Sequence, residues 1–273
     1  MKYISPGSWF SIELPDGWSE YEDTEDTFLF CNSAVWDGNF RISASRGETS
    51  GYARDCMERE QADVWDAKRV KVGRWNCIHS ASTFQDNDTW YTTHFWVTGQ
   101  EDVSINCSFT VKKGGSAKVA EAIIATLRIH GRNERPWREI IPARVVELQQ
   151  VDEACEWAVK TVKKLLGKEF EVDYAHLPLL QQLIDKALFK PTQRDAWEKI
   201  GIAFGAILYY ESGIWEWMAA IDGDKAKPML CLKEIDYGFA PGDIVWNCIR
   251  HNHPCNLDDE IGRIAAEVDK RSV

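Results

Sequence analysis

The chain has 273 residues, with 43 acidic and 32 basic side chains and a formal charge of −11. At 44% hydrophobic and 27% charged residues, its composition is that of a globular protein, not a disordered, collagenous or membrane chain. The negative charge excludes a general nucleic-acid binder, which presents a basic face to phosphates, and also docking on anionic lipid.

Pro6 and Gly7 interrupt the opening segment, so it does not read as a secretory signal. The longest apolar run, residues 200–210, is about half of the roughly 20 residues a membrane span requires. Eight cysteines sit among apolar neighbours, as in Ile105-Asn106-Cys107-Ser108-Phe109. The expectation is reduced core thiols in a cytoplasmic protein.

In chain order, strand signals come first. Residues 9–14 alternate and then turn at Pro15-Asp16-Gly17-Trp18. The carboxylates of 20–26 read as a solvated loop, followed by short strands at 27–31 and 40–44. A helix is expected over 50–68, with Met57, Gln61, Val64 and Trp65 on one face. Three longer alternating runs follow, at 70–82, 89–98 and 103–112, joined by hairpin loops at 86–88 and 99–102. Ser116 then caps a helix with Val119, Ile123, Ile124 and Leu127 on one face.

The polar, Pro-containing stretch 132–142 reads as a linker between a domain at 1–131 and another at 143–273. The first part holds 19 acidic and 13 basic residues and the second 24 and 19, so neither is a charged tail. Beyond the linker, Leu148, Val151, Cys155, Ala158, Val162 and Leu165 line a helix that ends at Gly167. A short helix at 177–188 stops at Pro191, and Thr192-Gln193-Arg194-Asp195 opens a third as a weak capping box.

From Ile200 onward that third helix is apolar all round, which marks it as buried, and Gly201 and Gly205 invite close packing. Strands are expected at 214–221, 228–235 and 244–249, the first pair joined at Asp222-Gly223-Asp224, before a last helix at 257–268. The fold class is therefore α+β: an N-terminal antiparallel sheet covered by helices, then a C-terminal helical bundle packed on a small antiparallel sheet.

Two segments carry a resemblance. The opening SWFSIELPDGWSEYEDTEDTFLF, a strand, a Leu-Pro-x-Gly-Trp turn and a second strand, resembles the start of PsbP/Mog-like domains. The segment WEKIGIAFGAILYYESGIWEWMAAID, with the Pro-Gly-Asp of 241–243, resembles a separate bacterial domain of unknown function. Together they are similar to a two-domain bacterial family, with Trp18, Gly201, Gly205 and Trp215 as fold markers. The resemblance transfers no functional residue. It implies a binding or assembly role, since PsbP-like and Mog-like domains act mainly in that way.

Candidate chemistry is sparse. Cys248, His251, His253 and Cys255 place four zinc-type ligands within eight positions, although two ligand pairs separated by a folded unit are usual. The plainer reading puts Cys248 in a strand and the histidines in a surface loop. Lys112-Lys113-Gly114-Gly115-Ser116-Ala117-Lys118 has a phosphate-loop flavour but matches no nucleotide fingerprint, and a Gly-Gly turn with a Ser cap explains it.

Alternation puts Trp90, His94 and Trp96 on one strand face, and Trp215 and Trp217 on another. These are core if helices cover the face and a ligand or partner surface if they do not. No Gly-x-Ser-x-Gly or His-Glu-x-x-His motif occurs. The expectation is a non-catalytic binding or interaction module for another protein, basic in character, with no cofactor. The alternatives are an enzyme with a spatially assembled inter-domain site, or a zinc protein using Cys248 to Cys255.

Overall fold

The computed structural model describes residues 1–24, 26–131 and 139–271. It divides into two compact units, Met1–Trp137 and Arg138–Val273.

The first unit runs β1 (Lys2–Ile4), β2 (Phe10–Glu13), β3 (Trp18–Thr24), β4 (Thr27–Asn32), β5 (Asn39–Arg46) and α1 (Tyr52–Asp63). It continues with β6 (Lys68–Val72), β7 (Trp75–Asp86), β8 (Thr89–Gln100), β9 (Val103–Lys112), α2 (Lys118–Thr126) and β10 (Arg128–Ile129). Strands β3-β4-β5-β9-β8-β7-β6 form a fully antiparallel sheet, and β1-β2-β10 a smaller one. The core holds Phe30, Phe40, Trp96 and Phe109 from the large sheet, Phe10 and Ile12 from the small one, and Ile123 and Ile124 from α2. One face of the large sheet is thus covered by β2 and α2. On the other face α1 packs only at one end, where Gly99 lets Ala53 approach.

Several expectations change here. The carboxylates of 20–26 lie largely on strand β3, not in a loop, with Glu20 accepting a 2.8 Å hydrogen bond from the Tyr3 hydroxyl; Glu25 falls outside the described residues. The helix of 50–68 is shorter: α1 ends at Asp63, Val64 is extended, and Trp65 stands 96% exposed. Ala53 is the buried residue of that helix, and of the proposed stripe Met57 and Gln61 are half-buried while Val64 and Trp65 fall beyond the helix end. The run 70–82 is two strands, β6 and β7, turning at Gly73, whose φ of +57° and closeness to Ala125 leave no room for a side chain.

The second unit runs β11 (Glu139–Pro142), α3 (Val145–Leu166), α4 (Leu177–Asp185), α5 (Arg194–Ser212) and β12 (Trp215–Asp222). Then follow β13 (Lys225–Leu232), β14 (Gly238–Phe239), α6 (Pro241–Arg250) and α7 (Leu257–Arg271). The helices pack around an antiparallel sheet of order β11-β12-β13-β14. Residues 139–142, expected within the linker, are instead strand β11, and 132–138 lie outside the described residues.

Helix α5 is buried on every side from Ala203 to Leu208. A side chain at Gly201 would sit 2.3 Å from the Pro241 carbonyl oxygen and 2.8 Å from Gly242 Cα, so the start of α6 rests directly on the α5 backbone. This contact corrects the strand expected at 244–249. Pro241 occupies the first helical turn, its Pro-Gly-Asp is a helix start instead of a turn, and the apolar run continues as α6.

On α3 the buried stripe is Val151, Ala154, Ala158 and Val162, while Leu148 and Leu165 are exposed. Small residues face the core there because α5 packs closely against α3. The capping box predicted at Thr192 is absent: Gln193 makes no cap bond, and its side chain accepts from Lys190 N at 2.7 Å. At α3 only the returning half of such a box is made, the buried Glu147 carboxylate accepting from Arg144 N at 3.1 Å and from Arg144 Nε at 2.9 Å, since the Arg144 side chain has no acceptor to offer the helix.

Candidate functional site

Strand β8 carries aromatic residues on both of its faces, and the two faces end differently. On the covered face, Trp96 lies opposite Cys107 and His94 opposite Phe109, so both point toward the core. Trp96 is 1% exposed, and among the described residues its indole Nε1 has no hydrogen-bond partner. His94 Nδ1 and His79 Nε2 are 3.1 Å apart with the rings stacked, and His79 also packs on Trp96. Burial holds both imidazoles below their ordinary range; for His79 the neighbouring His94 adds to this, and Glu121 pulls both the other way. At the far end of the same face Trp90 is 47% exposed, with Lys113 Nζ 5.0 Å from its ring centre. The face expected from Trp90, His94 and Trp96 is therefore not one surface. Trp96 is core, His94 lies at the margin, and Trp90 projects beyond the cover.

The opposite face of β8 holds what the tryptophan pattern missed. Tyr91 stacks on Phe84, its cross-strand neighbour on β7, at 5.7 Å, and meets Trp36 edge-on at 6.1 Å. Trp36, Phe84 and Phe95, two strand repeats beyond Tyr91, are all exposed, as is Val35. Trp36 is held by a 2.7 Å hydrogen bond from its Nε1 to Asn39. Between the aromatics the face is lined by hydroxyls, with Thr93 and Thr110 bonded at 2.9 Å. The signal was available: the alternation that aligns Trp90 with Trp96 also aligns Tyr91 with Phe95.

In the second unit, Trp215 and Trp217 share a face as expected, and that face is covered. Trp215 is 4% exposed and packs on Phe239 and Tyr237. Trp217 packs on Tyr209 and reaches the space left open by Gly205. Both serve the core. Of the zinc-type segment, Cys248 is on helix α6, not on a strand, and Cys255 is buried. His251 Nδ1 lies 2.9 Å from the Asn247 carbonyl oxygen, and His253 N donates to the Cys248 carbonyl at 2.8 Å. Among the described residues no three His, Cys, Asp or Glu side chains converge to hold a metal, so these four are not assembled as a ligand set. At the lysine-glycine segment Ser116 is not the helix cap: α2 has Ala117 as its N-cap without a side-chain cap bond, and Ser116 Oγ accepts from Lys118 N at 3.3 Å in a local turn before the helix.

The described residues of the second unit enclose several cavities, one of about 330 Å³ being lined by Gly213, Ile214, Leu232, Lys233, Ile235 and Val268. One of about 560 Å³ is lined by Ile184, Phe189, Trp197, Ile249, Asn252 and His253. Another of about 340 Å³ sits at the start of α6, where Arg194 pairs with Glu198 and Lys227 with Asp243. None of these three gathers a nucleophile, a base and an orienting group.

These features define a two-unit α+β protein whose first unit exposes an aromatic sheet face and whose second buries its aromatics. Residues 1–152 match the family described as Domain of unknown function (DUF3805), and residues 176–260 match Domain of unknown function (DUF3806). The chain belongs to the DUF3805 family. It is similar to a protein of Bacteroides thetaiotaomicron VPI-5482 known from its crystal structure, with 41% identity, 99% of this chain and 98% of that one covered, and a TM-score of 0.91.

Over the first part, slighter likenesses run to the cyanobacterial PsbP of Synechocystis sp. PCC 6803 and to LpqN of Mycobacterium tuberculosis. The former has 12% identity, 48% of this chain and 92% of that one covered, and a TM-score of 0.27. LpqN, described as involved in cell envelope biogenesis, has 11% identity, 44% and 82% coverage, and a TM-score of 0.29. At that level they carry no argument about this chain. No curated protein matches it. Among the described residues, no helix is long and apolar enough to cross a membrane.

Proposed function

We propose that the protein is a non-catalytic binding module that receives another protein on the open face of its seven-stranded sheet. The observation that carries this reading is an aromatic cluster in which half-buried Tyr91 on β8 meets exposed Phe84 on β7 and exposed Trp36 from the β4–β5 connection, with exposed Phe95 nearby. Large aromatics on a rigid element bury much area at little cost in rotamer entropy, which is why they anchor protein interfaces.

The charge of −11 steers a basic partner toward the molecule and repels nucleic acid and anionic membrane. At the margin of the cluster, Asp37 and Asp86 are exposed, against Lys112 across from Tyr91. All eight cysteines are free, which supports a cytoplasmic location. The reading calls for no cofactor.

A photo-crosslinking residue in place of the exposed Val35 tests it in the native host. The expected result is one recurrent protein adduct, and the partner so identified should bind the Trp36→Ala/Phe84→Ala chain at least about tenfold more weakly, roughly 1.4 kcal/mol. Unchanged affinity in a double variant that melts like the parent would remove this face as the site.

A further inference from the structure

Several rings of this chain carry a cation of their own. Arg46 lies over Trp9, Arg74 over Trp75, Lys113 over Trp90, Arg194 over Trp246 and Arg271 over Tyr237, each charge 4.9–5.6 Å from the ring centre. Among the described residues no cation lies over Trp36, Tyr91, Phe84 or Phe95 on the open sheet face, although Trp36, Phe84 and Phe95 are exposed. The cluster is also held in place. Asn32 Oδ1 accepts from Ala34 N at 2.9 Å and from Val35 N at 3.2 Å, which shapes the turn ahead of Trp36, and the indole N–H is tied to Asn39. An edge-on pair occupies at most one face of each ring, so Trp36, 40% exposed, keeps aromatic surface for a ligand. Carboxylates stand at both ends of the row. Asp37 follows Trp36 in the chain, and Asp86 lies two residues beyond Phe84 on the same face of β7. Both are exposed, and neither has an ion-pair partner among the described residues. One ammonium, that of exposed Lys112 across from Tyr91, opposes them.

We infer that this cluster takes an arginine side chain of the bound protein; this rests on the reading of the face as a docking surface and names its anchor. A guanidinium is flat, keeps its charge throughout the physiological pH range and is weakly hydrated. It therefore stacks on an indole face at small desolvation cost while its N–H groups reach a carboxylate. Trp36 supplies the face, Tyr91 and Phe84 extend the aromatic wall, and Asp37 supplies the acceptor. A lysine ammonium has no plane to stack, and an apolar anchor would use neither carboxylate. Arginine and tryptophan are also the side chains that most often meet at the energetic centre of protein interfaces.

The test titrates the full nitrogen-15-labelled chain with the peptide acetyl-Gly-Gly-Arg-Gly-Gly-amide and with its citrulline counterpart, whose urea has the same shape and no charge. NMR reads the Trp36 indole signal and the Val35 and Asp37 amide signals. The arginine peptide should shift all three saturably, and the citrulline peptide should bind at least about threefold more weakly. Trp36→Leu keeps every charge and should lose as much affinity, read on the two amides. Because the citrulline comparison is made on the unsubstituted chain, a folding defect in that variant does not affect it. Equal affinity for the two peptides, arginine binding that Trp36→Leu leaves unchanged, or no shift with either peptide would overturn the inference. The crosslink from position 35 separates this from the docking reading. A protein adduct together with equal peptide affinities removes the arginine anchor and keeps the face, whereas arginine-selective shifts without an adduct keep the anchor and remove the protein partner.

Discussion

Strand β8 carries aromatic residues on both faces and helix α5 is apolar all round from Ile200 onward, yet they end in different environments. From Ala203 to Leu208 helix α5 is packed all round, and the helix is flanked by α3 on one side and by α6 lying directly on Gly201 and Gly205 on another. Strand β8 is packed on one face by the core and is open on much of the other, where Tyr91 and Phe95 meet solvent with Phe84 and Trp36. An element apolar all round needs cover on all sides, and where the fold supplies less, the uncovered residues form a patch that invites a partner. The second unit supplies enough cover from helices α3 to α7 and the first does not.

The sharpest break of that comparison compares neighbouring positions of one strand. Trp96→Ala should cost about 3–5 kcal/mol, because it empties a fully buried site, whereas Phe95→Ala should stay within about 0.5 kcal/mol. Denaturant titration of both variants checks this, and similar losses would mean the open face is covered in solution. The counterpart in α5 is Gly201→Ala, where a methyl would meet the Pro241 carbonyl at 2.3 Å. Displacing α6 should destabilise the second unit by about 1–3 kcal/mol in the same titration, despite the gain in helix propensity. A neutral or stabilising result would show that α6 is not seated on that glycine.

Much of this was legible from residue patterns, and the failures have a common cause. The β8 and β9 hairpins follow from alternation and from turn residues that tolerate positive φ, such as Asn87 at +44° and Asp88 at +62°. Gly201 and Gly205 announced close packing before any partner was known. What periodicity does not encode is which distant segment arrives to cover a face. The cover over Trp96 comes from β2 and α2, which flank the large sheet's strands in sequence, so the same alternation fits a core and a surface equally well. The run 244–249 failed for a related reason: six residues with mixed apolar spacing suit a strand until α5 offers a groove that accepts a helix. The candidate site was less legible still, because the tryptophans that drew attention were mostly core, and the exposed cluster mixes Trp, Tyr and Phe from three separate segments.

The boundary between covered and open surface on β8 runs through its histidine. Along one face Trp96 is buried, His94 half-buried and Trp90 exposed, with His79 stacked on His94 from β7. Around the pair stand Glu121 on α2, Lys68 on β6 and Asp66 before it. Both imidazoles are held below their ordinary value near 6.5, chiefly by burial, and in His79 by the second ring as well. Well above that value both rings are neutral in the folded and the unfolded chain, so neither state is favoured by titration. As the pH falls through it, the unfolded chain takes up protons that the folded chain resists, and stability declines until the folded pKa values are reached. The midpoint of thermal unfolding should therefore fall between about pH 8 and 5, and fall less steeply in His94→Gln, which keeps a hydrogen-bonding side chain beside His79 without a second charge. Equal slopes would show that the pair tolerates protonation because solvent reaches it, and the margin of the covered face would then move inward, from His94 toward Trp96.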